Sequence, residues 1–259
     1  MQLKILSTGS VGNCYILENE KEALIIELGL NFSKIKEALN FDLSKVVGAL
    51  VTHEHNDHSG LNGKFINEAL NNAVTVYSSE KLFNLFSIKN HNAKNLIKYK
   101  FNNLGKGFQV YPFEAVHCNA DLKPCVDPLG FVIYHKDCGL VLFLTDSLVC
   151  KPIFKGVMQF NNIIIEANFC NDIINSRFKE GKMNHSLYHR ILKSHMSLNT
   201  CRDTLLANDL SQVQKIVLIH LSDSNSDERK FKKVIEEATG KIVHVANNNQ
   251  ILEFNKNPF

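Results

Sequence analysis

Residues 46–60 read Val46-Val47-Gly48-Ala49-Leu50-Val51-Thr52-His53-Glu54-His55-Asn56-Asp57-His58-Ser59-Gly60. The first six residues are a compact apolar run of the kind that forms a buried strand. Four metal-competent side chains then fall within six residues: His53, His55, Asp57 and His58. On an extended backbone alternate side chains share a face, so His53 and His55 can converge on one cation. Where the chain turns into the next helix, Asp57 and His58 reach toward a second cation. Without a cation this cluster would repel itself or sit idle, and imidazole and carboxylate ligands suit zinc or manganese.

One segment cannot complete two sites, so further ligands are expected at other strand ends. His117 ends the strand-like FEAVH, Asp146 follows VLFLT, and His220 follows IVLI. Ligand residues cluster just past the carboxyl ends of strands in open α/β architectures. Glu166, at the end of IIIE, and His195, ahead of a helix expected from about Ser197, form a second informative pair. His91, His135, His185, His189 and His244 read as ordinary loop or core histidines.

Working outward, strands are expected at Leu3–Leu6, Tyr15–Glu18, Ala23–Leu28 and Lys45–Val51. Later strands are expected at Val74–Tyr77, Gly107–Tyr111, Gly130–Tyr134, Leu140–Leu144, Asn162–Ile165, Ile216–Ile219, Ile242–His244 and Ile251–Phe254. HKDCG, residues 135–139, reads as a hairpin turn. Asn31 or Ser33 caps a helix running to about Leu39, and Ser79 opens one running to Phe86. Helical spacing recurs near Asp172–Phe178, Leu187–Lys193, Asn199–Ala207 and Asp227–Ala238. Each half supplies strands first and helices afterwards, an order that two β-sheets with helices outside would satisfy.

The chain has 259 residues, 44% apolar and 21% charged, with 13 Gly and 5 Pro. That composition excludes predominant disorder and collagen-like or low-complexity structure. No apolar run approaches the ~20 residues of a membrane span. The net charge of +3 permits an anionic substrate without demanding one. The start, MQLKILSTGSVGNCYIL, has no signal-peptide pattern, and the seven cysteines are scattered without a CxxC pair. Both features predict a cytoplasmic protein with reduced thiols.

The series His53-x-His55-x-Asp57-His58, then His117, Asp146 and His220, resembles the metallo-β-lactamase-fold hydrolases over nearly the whole chain. The resemblance implies an α/β, four-layer αβ/βα sandwich, a single domain over residues 1–259, with a dinuclear site at one edge. It also implies that His53, His55 and His117 hold one ion, that Asp57, His58 and His220 hold the other, and that Asp146 bridges them. GSVGNCYILE, DPLGF (Asp127–Phe131), LTDSL, IIIEAN (Ile163–Asn168) and RILKSHMSL (Arg190–Leu198) are similar to the small WalJ-like branch, bacterial or phage, of nuclease type. Three departures stand out. Glu27 replaces the usual Asp of LIDxG, Met196 replaces Leu, and residues 118–126 (CNADLKPCV) replace a shorter link.

In the tRNase Z relatives a comparable EAT glutamate orients a comparable HST histidine, which acts as proton donor. Here the matches are Glu166-Ala167-Asn168 and His195-Met196-Ser197. A neighbouring carboxylate fixes an imidazole's tautomer and raises its pKa. The expected reaction is hydrolysis with two divalent ions, Zn or Mn, and the expected catalytic residues are Asp57, His195 and Glu166. A protonating histidine suits an alkoxide leaving group, which favours a phosphodiester and a nucleic-acid substrate, most simply a DNA exonuclease. Alternatives are a small-molecule hydrolase of a thioester, lactone or cyclic phosphodiester, and a metal-binding domain without turnover. The segment between Asp146 and His195 is filled, leaving no room for the domain that large nucleases of this fold insert there. Arg177, Lys179, Lys182, Arg190 and Lys193 form either a solvated helix face or a track for a phosphate backbone.

Overall fold

The structure is a computed structural model and describes residues 1–257. Two seven-stranded sheets face one another. The first contains β1 (Gln2–Ser7), β2 (Cys14–Glu18), β3 (Ala23–Ile26), β4 (Val46–Leu50), β5 (Val76–Ser78), β6 (Ala93–Asn95) and β14 (Gln250–Glu253), in the order β14-β1-β2-β3-β4-β5-β6. The second contains β7 (Asn102–Gly105), β8 (Phe108–Glu114), β9 (Leu129–His135), β10 (Gly139–Leu144), β11 (Asn162–Glu166), β12 (Lys215–Ile219) and β13 (Ile242–Val245). Its order is β13-β12-β11-β10-β9-β8-β7, and β10 to β13 run parallel.

The apolar runs are nearly continuous because each central strand is covered on both faces. Tyr15, Leu17, Leu24, Ile26, Phe131, Phe143, Ile164 and Val217 point into the core between the sheets. Their neighbours Ile16, Ile25 and Ala49 face α1 (Phe32–Ala38), α3 (Lys64–Asn71) and α4 (Glu80–Leu85). On the second sheet, Ile163, Ile165 and Leu218 face α7 (Leu198–Leu206) and α8 (Glu228–Thr239). This is the αβ/βα sandwich expected from the sequence. Among the described residues no helix is long and apolar enough to cross a membrane.

Most expected elements are present within a residue or two, including the hairpin, where Gly139 pairs with His135. Asn31 caps α1 and Ser79 caps α4 through their side-chain oxygens. Four departures have physical reasons. The third strand stops at Ile26 rather than Leu28, because Glu27 takes a left-handed backbone (φ 69°). β8 stops at Glu114, so FEAVH leaves the sheet before reaching His117. The edge strands β6 and β7 are short and largely exposed, so they lack the apolar alternation that announces a strand. α3 buries Phe65, Ile66, Ala69 and Leu70 directly after the histidine-rich segment and was not expected.

Three distant segments interlock beside that segment. The Asn13 amide donates to the Asp57 carbonyl at 2.7 Å, the Gly29 amide to the Asn13 carbonyl at 3.0 Å, and the Leu28 amide to the His58 carbonyl at 2.8 Å. A Cβ on Gly29 would collide with the Asp57 carbonyl and the Asn13 amide. Gly29→Ala is therefore expected to cost about 2 kcal/mol, a fall of roughly 4–8 °C in Tm, because the colliding atoms are backbone and cannot rotate away. Calorimetry of the purified variant checks this, and an unchanged Tm would show that the three segments are not locked together.

Candidate metal centre

The cluster is assembled from strand ends of both sheets. His53 and His55 follow β4, and Asp57 and His58 lie in the single turn α2 (Asn56–Ser59). The parallel strands β10, β11 and β12 deliver Asp146, Glu166 and His220 side by side. His195 closes the end of α6 (His185–Ser194). Glu27, Asp146 and His220 each follow a strand with positive φ (69°, 43° and 54°). Such backbone costs of order 1–3 kcal/mol per residue and persists where surrounding structure imposes it. Here it turns each side chain sharply inward.

Three sets of ligand-competent atoms result, each with all its atoms within 4.8 Å of one another: His53, His55, His117 and Asp146; Asp57, His58, Asp146 and His220; and Asp146, Glu166, His195 and His220. Asp146 belongs to all three. Its Oδ2 lies 3.4 Å from His117 Nε2 and 3.3 Å from His58 Nε2, and its Oδ1 lies 3.4 Å from His220 Nε2. Asp57 Oδ2 lies 3.3 Å from both His58 Nε2 and His220 Nε2. The seven side chains expected as ligands are thus brought together.

The hydrogen bonds around the first set leave lone pairs aimed at a common point. Thr52 Oγ1 donates to Glu27, so it accepts from His53 Nδ1 at 2.9 Å. His53 Nε2 is then a buried lone pair without a hydrogen-bond partner. His117 Nδ1 donates to the Ser194 carbonyl at 2.6 Å, which leaves its Nε2 3.0 Å from His55 Nδ1. His55 turns its Nε2 toward Cys125 Sγ at 3.6 Å. Lone pairs converging in this way cannot satisfy one another, whereas a divalent cation satisfies them all. A proton-bearing nitrogen held by an acceptor is also the usual support of a ligating imidazole. The residues present therefore fit a metal centre.

Electrostatics divide the cluster. Burial pushes the pKa of His53 far down, reinforced by the neighbouring His58 and His117; burial likewise lowers His55 and takes His117 to about 3. All three stay neutral, the form that ligates metal. Burial also opposes charge on His58 and His220, but the Asp146 carboxylate overrides it, raising His58 well above its ordinary value and His220 to about 9. Burial opposes the charges on Asp57 and Asp146 as well. His58 and His220 nevertheless hold Asp57 well below the usual carboxylate range, as His220 and His58 do Asp146.

Glu166 is fully engaged. Its Oε2 accepts from the Ser147 and Met196 amides at 3.0 and 3.1 Å, and its Oε1 accepts from His195 Nδ1 at 2.7 Å. His195 stacks on His220 (interplanar angle 15°) and is 17% exposed, so its unengaged Nε2 is available to the cavity over the cluster.

Several participants escaped sequence reasoning. The Asn13 side chain donates to Asp57 Oδ2 at 3.3 Å and lies 3.2 Å from His58 Nε2. Glu27 sits 3.3 Å from His58 Nδ1. Glu54 accepts from the Val126 amide and anchors the loop of residues 118–126. The available signal was their place in motifs: GSVGN for Asn13, the LIDxG-like segment for Glu27 and HEH for Glu54.

A layered αβ/βα sandwich with a buried His/Asp cluster at its strand ends defines a metal-dependent hydrolase. The family model for the metallo-beta-lactamase superfamily matches residues 7–140, and the chain belongs to that superfamily. The chain is 28% identical over 232 residues to the exodeoxyribonuclease WalJ of Streptococcus pneumoniae, covering 86% of this chain and 82% of that protein. It is 26% identical over 250 residues to the exodeoxyribonuclease YycJ of Bacillus anthracis, covering 92% and 90%. Among solved structures, the metallo-beta-lactamase fold protein YhfI of Bacillus subtilis superposes with a TM-score of 0.70 at 13% identity, over 97% of this chain and 99% of that one. The short form of human tRNase Z gives 0.60 at 15% identity, over 98% and 99%.

Replacing Glu27 by Ala strands the Thr52 hydroxyl and removes the carboxylate facing His58 Nδ1. In chelator-treated protein this should cost about 2–3 kcal/mol of urea stability, the penalty for buried polar groups left unpaired. Glu27→Asp, one methylene shorter, should cost less.

Proposed function

We propose that the chain is a dinuclear metallophosphodiesterase acting on nucleic acid, most specifically an exonuclease on DNA. The observation that carries this reading is the Glu166–His195 pair at the edge of the cluster, with His195 Nδ1 held at 2.7 Å. Hydrolysis of an unactivated phosphodiester expels an alkoxide and needs a proton donor there. The names of the Streptococcus and Bacillus relatives support the substrate class.

His53, His55 and His117 would hold one divalent ion, zinc or manganese, Asp57, His58 and His220 the other, and Asp146 both. Such a pair supplies an acidified water and neutralises charge building on phosphate oxygens. Asp57, at 21% exposure the more accessible of the two carboxylates, orients the attacking water. His195 delivers its Nε2 proton to the leaving oxygen. Glu166 accepts the Nδ1 proton and supports the positive charge of the doubly protonated ring, whose Nε2 carries the proton to be transferred. Ligands from both sheets meet in one centre, which supports reading residues 1–259 as one catalytic unit.

The assignment predicts two ions per chain by elemental analysis after purification with zinc or manganese. Asp146→Ala should lower both occupancies, and His55→Ala should abolish activity while the protein stays folded. A stoichiometry of one in active protein would overturn the dinuclear assignment. His195→Ala should leave the metal content intact and cut turnover on DNA by about 10²–10⁴-fold. Its loss on bis(p-nitrophenyl) phosphate should be much smaller, because p-nitrophenolate leaves without a proton. Glu166→Gln should follow the same pattern more weakly. Equal losses on both substrates would remove His195 as donor and favour the small-molecule reading.

A further inference from the structure

The cavity over the cluster, about 350 Å³, is walled by Asp57, His117, Asn119, Asp146 and the end of α6. A second cavity of about 240 Å³ adjoins it. The two share four residues: Ser10, Arg190, His195 and His220. The second contains none of His55, His117 or Asp146; its walls combine Leu187, Ile191 and Leu221 with the polar Asn168, Ser222 and Asn225 and the exposed Asp223. His195 and Arg190 thus stand where the two cavities meet. Arg190 is exposed and has no ion-pair partner among the described residues. Its backbone carbonyl accepts from Ser194 Oγ at 2.8 Å, which fixes it one turn ahead of His195 on the same helix.

We propose that Arg190 clamps the non-bridging oxygens of the phosphodiester under attack, and that the second cavity receives the leaving group. This deepens the reading above and rests on it for the nucleic-acid substrate. The bond that breaks must lie between the metal side and His195, so the phosphate sits at that meeting point. A guanidinium is a planar fork that meets two phosphate oxygens at once. The second cavity suits a sugar and base, because Leu187, Ile191 and Leu221 can pack against a ring, its amide and hydroxyl side chains can hydrogen-bond sugar hydroxyls and base edges, and the Asp223 carboxylate disfavours another phosphate inside. The step itself is unchanged: the P–O bond to the leaving oxygen breaks as a P–O bond to water's oxygen forms, and the proton comes from His195.

The test uses Arg190→Gln and Arg190→Lys in the full chain. Because the side chain is exposed, Tm and metal content should match wild type. Arg190→Gln should lose about 10²-fold in kcat/KM on DNA, as for removal of one transition-state donor. It should lose comparably on bis(p-nitrophenyl) phosphate, unlike His195→Ala, which largely spares that substrate. Arg190→Lys should recover part of the loss. With chelator-treated protein and a fluorescent single-stranded oligonucleotide, Arg190→Gln should reduce the salt-dependence slope by about 0.7, one phosphate contact. Unchanged rates on both phosphodiesters, or an unchanged slope, would overturn the clamp. If wild type cleaves bis(p-nitrophenyl) phosphate but no nucleic acid, and Arg190→Gln still loses that activity, the nuclease reading falls. The clamp would then stand for a small phosphodiester.

Discussion

The buried carboxylate of Asp146 is the constraint around which this molecule is built. It is 2% exposed, and a charge so far from water is tolerated only where opposite charge or polar groups are fixed beside it. His53, His58, His117 and His220 each bring a ring nitrogen within 4 Å of it. No single segment can do this. His53 and His58 come from the first sheet's side, and His117 and His220 from the second. The shared core of Tyr15, Phe131, Phe143 and Ile164 is therefore what holds the two halves of the site at coordination distance.

That arrangement carries a conformational cost. Positive φ at Glu27, Asp146 and His220 is unfavourable for residues bearing a Cβ, and the ladder has to impose it. Hydrogen bonds from distant segments do so. The Glu27 amide is tied to the Leu50 carbonyl at 2.8 Å, and the His220 amide to Thr8 Oγ1 at 3.0 Å. The buried core around the site explains why loss of a ligand should silence the protein without unfolding it. The contrast is a zinc finger, whose folding free energy is largely its metal binding.

How much of this could be read from residues alone follows from where the partners lie. His53, His55, Asp57 and His58 are adjacent in sequence, so a periodicity argument finds them. Asp146, Glu166 and His220 each follow a run of apolar residues that betrays a buried strand. Glu27 likewise follows an apolar run, ALII, but its partner Thr52 lies 25 residues on, and Asn13, which meets Asp57 across 44 residues, carries no such signal. The support for His117 is a backbone carbonyl, Ser194, which no side-chain motif can encode. β6 and β7 were illegible for a different reason: mostly exposed edge strands do not alternate.

Glu27 shows how one buried carboxylate can support both ligand sets at once. Here the left-handed turn after Ile26 swings Glu27 so that its carboxylate spans both, accepting from Thr52 and facing His58 Nδ1 at 3.3 Å. Thr52 in turn fixes the tautomer of His53. One buried carboxylate therefore orients a histidine from each ligand set, and neither set can shift without disturbing the other. Supports shared in this way keep two separate groups of side chains within the few tenths of an ångström that coordination chemistry tolerates.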